Sequence, residues 1–99
     1  MSQDPLANLN TRKPRPVTGI AHFGTCHQAH APTCSVHAGV DGADALVCAV
    51  SALKAAYETN ALAQLQADEP LRSLLIATEN SLEKGLALAE AVFDGLEQD

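Results

Sequence analysis

Aromatic residues are almost absent from this chain. Phe, Tyr and Trp together make up 3% of its 99 residues, and there is no Trp. Small-molecule pockets are usually lined by large apolar and aromatic side chains. A chain of 10.3 kDa is long enough for one small domain. We therefore expect a thin core of leucine and alanine and close packing between helices, rather than a deep pocket.

Positive charge is also scarce. The chain has six Lys and Arg against twelve Asp and Glu, a net charge of −6. Residues 1–40 carry three cations and one acid, a net charge of +2, whereas residues 41–99 carry three cations and eleven acids, a net charge of −8. Because an acidic body repels phosphates and anionic lipids, we expect neither nucleic acid nor membrane as a partner.

The beginning of the chain has no periodic apolar pattern. Residues 1–18 contain three of the five prolines and the basic cluster Arg12, Lys13 and Arg15. This composition predicts a disordered, basic, proline-containing arm, followed by a single domain over residues 19–99. No secretory signal is recognisable, and no apolar run approaches the ~20 residues that span a bilayer. The sequence thus predicts a cytoplasmic protein with reduced thiols.

A short segment between two glycines alternates between apolar and polar residues. Cys34, Val36 and Ala38 fall on one face, which we expect to be buried, and Thr33, Ser35 and His37 fall on the other. This period of two predicts one strand of about six residues, ending at Gly39. Residues 19–32 contain Gly19, Gly24 and Pro32 and are expected to form a loop. The pattern leaves open whether the strand pairs within its own chain or with a second one.

Two long helices are predicted after the strand. The first covers residues 42–67, with Asp41 as its N-cap, and Glu69-Pro70 separates it from the second, over residues 70–96. The stripe of apolar residues in the first helix comprises Leu46, Val50, Leu53, Tyr57 and Ala61. The stripe in the second comprises Leu71, Leu75, Thr78, Leu82, Gly85, Ala89, Val92 and Leu96. The fold class is therefore mainly α, a short β-strand followed by a long αα-hairpin.

The first helix has a second stripe of small residues beside its leucine stripe. Its members are Ala45, Ala49, Ala52, Ala56, Ala63 and Ala67. A helix that is apolar on two adjacent faces requires two neighbours, and the partner helix of the same chain covers only one face. We therefore predict a homodimer that forms a four-helix bundle. The predicted interface comprises Ala45, Ala49, Ala52 and Ala56, with Val36 of the strand.

All four histidines and two of the three cysteines lie between His22 and His37. Thiolate and imidazole are the ligands that zinc prefers, so Cys26, His27, His30 and Cys34 are candidate metal ligands. Their spacing matches no common Cys/His zinc signature, and we expect no cofactor unless it is zinc. A Cys/His nucleophile would need a third group to orient its base, and the sequence indicates none. We do not expect an enzyme.

These features predict a small non-catalytic protein that acts as a homodimer in protein–protein interaction or regulation. One alternative is a zinc-binding module that uses residues 22–37. Another is a DNA-binding regulator of the ribbon-helix-helix type, whose order of elements is the same. Against that alternative, the predicted helices are about twice too long for such an architecture, and the polar strand face has no Arg or Lys.

Several short motifs of the first half resemble a known family. They are Phe23-Gly24-Thr25-Cys26, Cys34-Ser35-Val36 with Gly39-Val40, Asp44-Ala45-Leu46, and Ser51-Ala52-Leu53 with Ala56. Together they resemble a family of short bacterial proteins that is defined only as a domain of unknown function, mainly over Phe23 to Ala56. The resemblance implies a strand followed by a helical hairpin. It implies no catalytic residue, cofactor or substrate.

Overall fold

The computed structural model describes residues 15–98, which form two short strands and two long helices. Strand β1 covers Ala21–Phe23, β2 covers Cys34–Val36, helix α1 covers Gly42–Gln66 and α2 covers Leu71–Glu97. The chain divides into two compact units between Gly42 and Ala43. We call the described part of the first unit the ribbon and that of the second the hairpin. The predicted fold class, mainly α with a helical hairpin after a short strand, is confirmed.

The ribbon pairs two segments of the same chain. β1 and β2 are antiparallel, with Ala21 opposite Val36 and Phe23 opposite Cys34. The expectation that residues 19–32 form only a loop is therefore wrong for residues 21–23. The pairing extends to a bridge between Val17 and Asp41. One additional residue on the second segment is accommodated as a bulge near Gly39, whose φ of 86° is readily adopted by glycine.

Residues 15–18 belong to the ribbon and not to the arm to which the sequence assigned them. The Arg15 guanidinium lies 2.9 Å from an Asp41 carboxylate oxygen. The Thr18 amide donates to the Val40 carbonyl at 2.9 Å, and its hydroxyl donates to the His37 carbonyl at 2.6 Å. The rest of the predicted arm, residues 1–14, lies outside the described residues.

The junction between the ribbon and α1 requires glycine at position 42. The Gly42 amide donates to the Pro16 carbonyl oxygen at 2.8 Å. A Cβ at position 42 would lie 2.9 Å from that same oxygen, which is closer than real Cβ atoms approach. The close approach of the two backbones therefore leaves no space for a side chain.

We expect Gly42→Ala to destabilise the ribbon by about 1–3 kcal/mol, because either the hydrogen bond or the helix start must shift. Amide hydrogen exchange at Thr18 and Gly39 measures this effect locally. Gly19→Ala is the matched control, since a Cβ at position 19 meets no atom within 4 Å. Equal exchange rates in the two variants would contradict the prediction.

The helix boundaries agree with the sequence to within one residue. The predicted 42–67 and 70–96 correspond to Gly42–Gln66 and Leu71–Glu97. Proline at position 70 directly precedes α2, where its missing amide proton costs no hydrogen bond. The first amides of α2 donate hydrogen bonds to carbonyls of the turn. The Arg72 amide donates to the Asp68 carbonyl at 3.0 Å, and the Leu74 amide donates to the Pro70 carbonyl at 3.3 Å.

Two side-chain contacts define the antiparallel alignment of the hairpin. Near the turn, the Gln64 amide donates to a Glu79 carboxylate oxygen at 2.6 Å. Further from the turn, the Lys54 ammonium lies 3.9 Å from a Glu90 carboxylate oxygen. Ten residues toward the start of α1 thus correspond to eleven toward the end of α2, so the two helices advance past each other almost residue for residue.

The residues of the two helices that are shielded from solvent form a stripe that we call the seam. It consists of Leu46, Val50, Leu53, Tyr57, Asn60 and Gln64 in α1, and Leu75, Glu79, Leu82, Leu86, Ala89, Phe93 and Leu96 in α2, each at least half-buried. Four predicted members are exposed instead: Ala61, Leu71, Thr78 and Val92. Asn60, Glu79 and Phe93 occupy the seam positions expected for Ala61, Thr78 and Val92, and Leu86 takes the position expected for Gly85.

The seam buries little. Among residues 15–98, the buried ones are Ala43, 4% exposed, and Asn60, 7% exposed, and no large side chain is fully enclosed. Stable small domains require a core of fully buried apolar side chains. The hairpin of one chain lacks such a core within the described residues.

Candidate functional site

One side of the hairpin is rich in charge, and we call it the polar side. Lys54 and Glu90 each follow a seam residue directly and contact each other at 3.9 Å. The residue after each seam position in both helices therefore lies on this common side. Its other charged members are Glu58, Glu83, Asp94 and Glu97.

The opposite side, which we call the apolar side, contains the residue before each seam position. In α1 these are Ala45, Ala49, Ala52, Ala56, Thr59 and Ala63. In α2 they are Leu74, Thr78, Ser81, Gly85, Leu88, Val92 and Gly95. None of these residues is charged. Because the two helices run antiparallel, both stripes lie next to each other and form one continuous surface.

The largest side chains of the apolar side are solvent-exposed in a single chain. Leu74 is 63% exposed, Leu88 59% and Val92 54%. Ala49, Ala52 and Ala56, three of the predicted interface residues, are exposed beside them, and Ala45 is half-buried. Contiguous exposed apolar surfaces of this kind mark interaction sites. Val36, the remaining predicted interface residue, is half-buried in the ribbon unit.

Leu74, Leu88 and Gly95 of this surface were absent from the predicted interface. The sequence does contain the signal for them, since Leu74, Thr78, Ser81, Gly85, Leu88, Val92 and Gly95 repeat at alternating intervals of four and three. This stripe is adjacent to the seam stripe, and the predicted stripe of α2 combined members of both. Periodicity does not show which of these two stripes of α2 faces α1; the position of α1 in the structure does.

The loop that joins β1 and β2 carries several of the candidate metal ligands. Three consecutive residues have left-handed backbones, Cys26 at φ 51°, His27 at 58° and Gln28 at 66°. Such conformations are uncommon outside glycine. The Gln28 amide donates to the Thr25 hydroxyl oxygen at 3.1 Å, and the His30 amide donates to the Thr25 carbonyl at 3.2 Å. The loop is thus a tight turn held by Thr25.

The candidate metal ligands Cys26, His27, His30 and Cys34 are all exposed. Within residues 15–98, no three His, Cys, Asp or Glu side chains come close enough together to hold a metal ion. His30 Nδ1 lies 2.7 Å from the Ala31 carbonyl oxygen. The expectation that the strand face containing Cys34 is buried is wrong, since this thiol and its cross-strand neighbour Phe23 are both exposed.

Comparisons with other proteins add no functional assignment. No protein-family model, curated protein or solved structure matches this chain. In the part of the chain that the structure describes, neither helix combines the length and apolar character needed to cross a membrane. Among the described residues, the apolar side of the hairpin is therefore the candidate functional surface.

Proposed function

We propose that this protein is a non-catalytic interaction or regulatory protein that acts as a homodimer, with the apolar side of the hairpin as its interface. One observation carries the proposal: an uncharged surface exposes Leu74, Leu88 and Val92 on a hairpin with no fully buried large side chain. Covering this surface supplies the apolar burial that one chain lacks. The polar side then remains outward, where its acids favour a basic protein surface as a further partner.

Sedimentation tests the proposal. We expect a dimer at micromolar concentration and a thermal midpoint that rises with protein concentration, because dissociation accompanies unfolding. A midpoint independent of concentration, together with a well-folded monomer in sedimentation, would refute the homodimer.

The zinc-binding alternative gives a different result in metal analysis. If the hairpin dimer alone accounts for stability, protein purified without chelators holds less than stoichiometric zinc, and a chelator leaves its thermal midpoint unchanged. We expect Cys26→Ser and His30→Ala to leave that midpoint unchanged as well, because both residues are exposed in the loop. Stoichiometric zinc that either substitution removes would replace the proposal with a zinc module.

A ribbon-helix-helix regulator would pair the strand of one chain with that of a second. Here β1 already occupies one edge of β2. We expect no DNA binding that weakens with salt, and retention of the protein on duplex DNA at low salt, lost on deletion of residues 1–18, would favour this alternative.

A further inference from the structure

We propose that the two copies pack with their two-fold axis parallel to the helices, so that α1 of each copy faces α2 of the other across the apolar sides. The inference rests on the proposed homodimer and adds its geometry. A two-fold axis in the interface can also run across the helices, in which case α1 faces α1 and α2 faces α2. The sizes of the side chains distinguish the two arrangements.

An axis parallel to the helices leaves every residue at its own level. Lys54 and Glu90 mark one level of the hairpin, at their 3.9 Å contact. Two residues before Lys54 and two after Glu90, the apolar side presents Ala52 and Val92 at the same level. Two residues after Lys54 and two before Glu90, the apolar side presents Ala56 and Leu88, again at the same level. In the proposed dimer, Val92 of one copy therefore faces Ala52 of the other, and Leu88 faces Ala56.

The pairs formed in this way are complementary in size. Of the three large exposed residues on the apolar side of α2, Leu88 and Val92 each meet an alanine of α1 in the other copy, whereas Leu74 lies level with the turn that joins the helices. At neighbouring levels small residues meet, Ala49 with Gly95 and Ala63 with Ser81. Helix pairs approach to 8–10 Å depending on the side chains between them, and a large residue against a small one keeps that spacing even.

The alternative axis produces uneven packing. The apolar stripe of α1 contains only alanine and Thr59, so two copies of α1 would approach closely. The stripe of α2 contains Leu74, Leu88 and Val92, so two copies of α2 would be held further apart. The short turn at residues 67–70 holds the two helices of one hairpin side by side. Two flat, parallel hairpins therefore cannot combine a close α1–α1 spacing with a wide α2–α2 spacing. The sequence of the apolar side thus favours α1 against α2.

Mixing two single-cysteine variants tests this geometry. In a background with Cys26→Ser, Cys34→Ser and Cys48→Ser, one variant carries Ala52→Cys and the other Val92→Cys. We expect the two variants, mixed and mildly oxidised, to form a covalent dimer, because facing residues meet the distance limit of a disulfide. Each variant oxidised alone remains uncrosslinked, because identical positions lie diagonally across the bundle. Sedimentation of every sample under reducing conditions measures whether the variant is a dimer before crosslinking.

The outcomes separate the geometry from the homodimer itself. A dimer in which Ala52→Cys crosslinks to itself, or in which the mixture does not crosslink, overturns the geometry and leaves the homodimer standing. A monomer in sedimentation overturns both. Crosslinking that occurs only in the mixture supports the geometry.

A size exchange provides a second test that needs no cysteine. We expect Ala52→Val and Val92→Ala each to weaken dimerisation at least about tenfold, by crowding or by loss of contact. The double variant restores affinity to within about threefold, because the large and small residues have exchanged places. Additive losses in the double variant would show that the two positions do not face each other.

Discussion

The substitution Leu88→Glu is expected to convert the dimer into a monomer and to remove most of its helical circular dichroism. Leu88 is 59% exposed in one chain and lies near the centre of the apolar side. Burying a leucine contributes about 1.5–3 kcal/mol. The dimer contains two copies of Leu88, so this contribution is lost twice. Each glutamate also adds the cost of placing a charge in an apolar interface. The dissociation constant should therefore rise by at least about a hundredfold.

Ala87→Glu is the matched control for this substitution. Position 87 is the next residue in the same helix, it is exposed, and it lies on the polar side. Introducing the same carboxylate there should leave both the dimer and its helicity intact. If Ala87→Glu and Leu88→Glu dissociate the dimer equally, the interface is not confined to the apolar side.

The second large effect concerns the polar residues of the seam, where two substitutions to leucine should act in opposite directions. Gln64 donates to Asn60 at 2.7 Å and to Glu79 at 2.6 Å, so it connects two acceptors. Gln64→Leu leaves both acceptors without this donor, which costs about 1–3 kcal/mol. Asn60→Leu removes one of the two acceptors of the Gln64 amide, but it keeps the bond between Gln64 and Glu79 and fills a site that is 7% exposed with an apolar side chain. We expect Asn60→Leu to stabilise the protein by about 1–2 kcal/mol.

Chemical denaturation of both variants at equal protein concentration measures this difference. Ala61→Leu controls for the added leucine, since position 61 is exposed on the polar side. A gain in stability for Gln64→Leu, or a loss of more than about 1 kcal/mol for Asn60→Leu, would contradict the assigned roles. Stabilisation by Asn60→Leu would also indicate that asparagine serves alignment of the helices rather than stability.

Local signals in the sequence are sufficient for the helices. Glu69-Pro70 interrupts the apolar periodicity, and the long runs of alanine and leucine on either side favour helix over strand. The boundaries follow from these residues alone, because helix starts and stops depend on the nearest few positions. For the same reason the sequence alone locates the turn between α1 and α2.

The seam could be placed only in part. In α2 the seam stripe with Leu82 and Phe93 and the apolar stripe with Leu88 and Val92 are adjacent, and both are rich in apolar residues. Periodicity shows that a helix is apolar over a broad arc, but the direction of its partner within that arc is a property of the packed pair. The predicted stripe therefore combined Val92 with Leu82, and it did not include Glu79.

The ribbon was missed for a different reason. β1 has three residues, and its central His22 stands between Ala21 and Phe23 without a longer alternating pattern. Residues 21–23 form a strand only because they pair with β2, which lies more than ten residues further along the chain. Local propensity therefore carries little information about them. The left-handed residues Cys26, His27 and Gln28 likewise depend on the turn held by Thr25, because their types alone do not favour positive φ.

The antiparallel course of the hairpin gives the proposed dimer two unlike ends. Since a two-fold axis parallel to the helices preserves direction, both copies enter α1 at one end of the bundle, and both turns around Pro70 lie at the other. A partner with two matching sites would bind the second with a raised effective concentration, so avidity would distinguish the dimer from two separate chains.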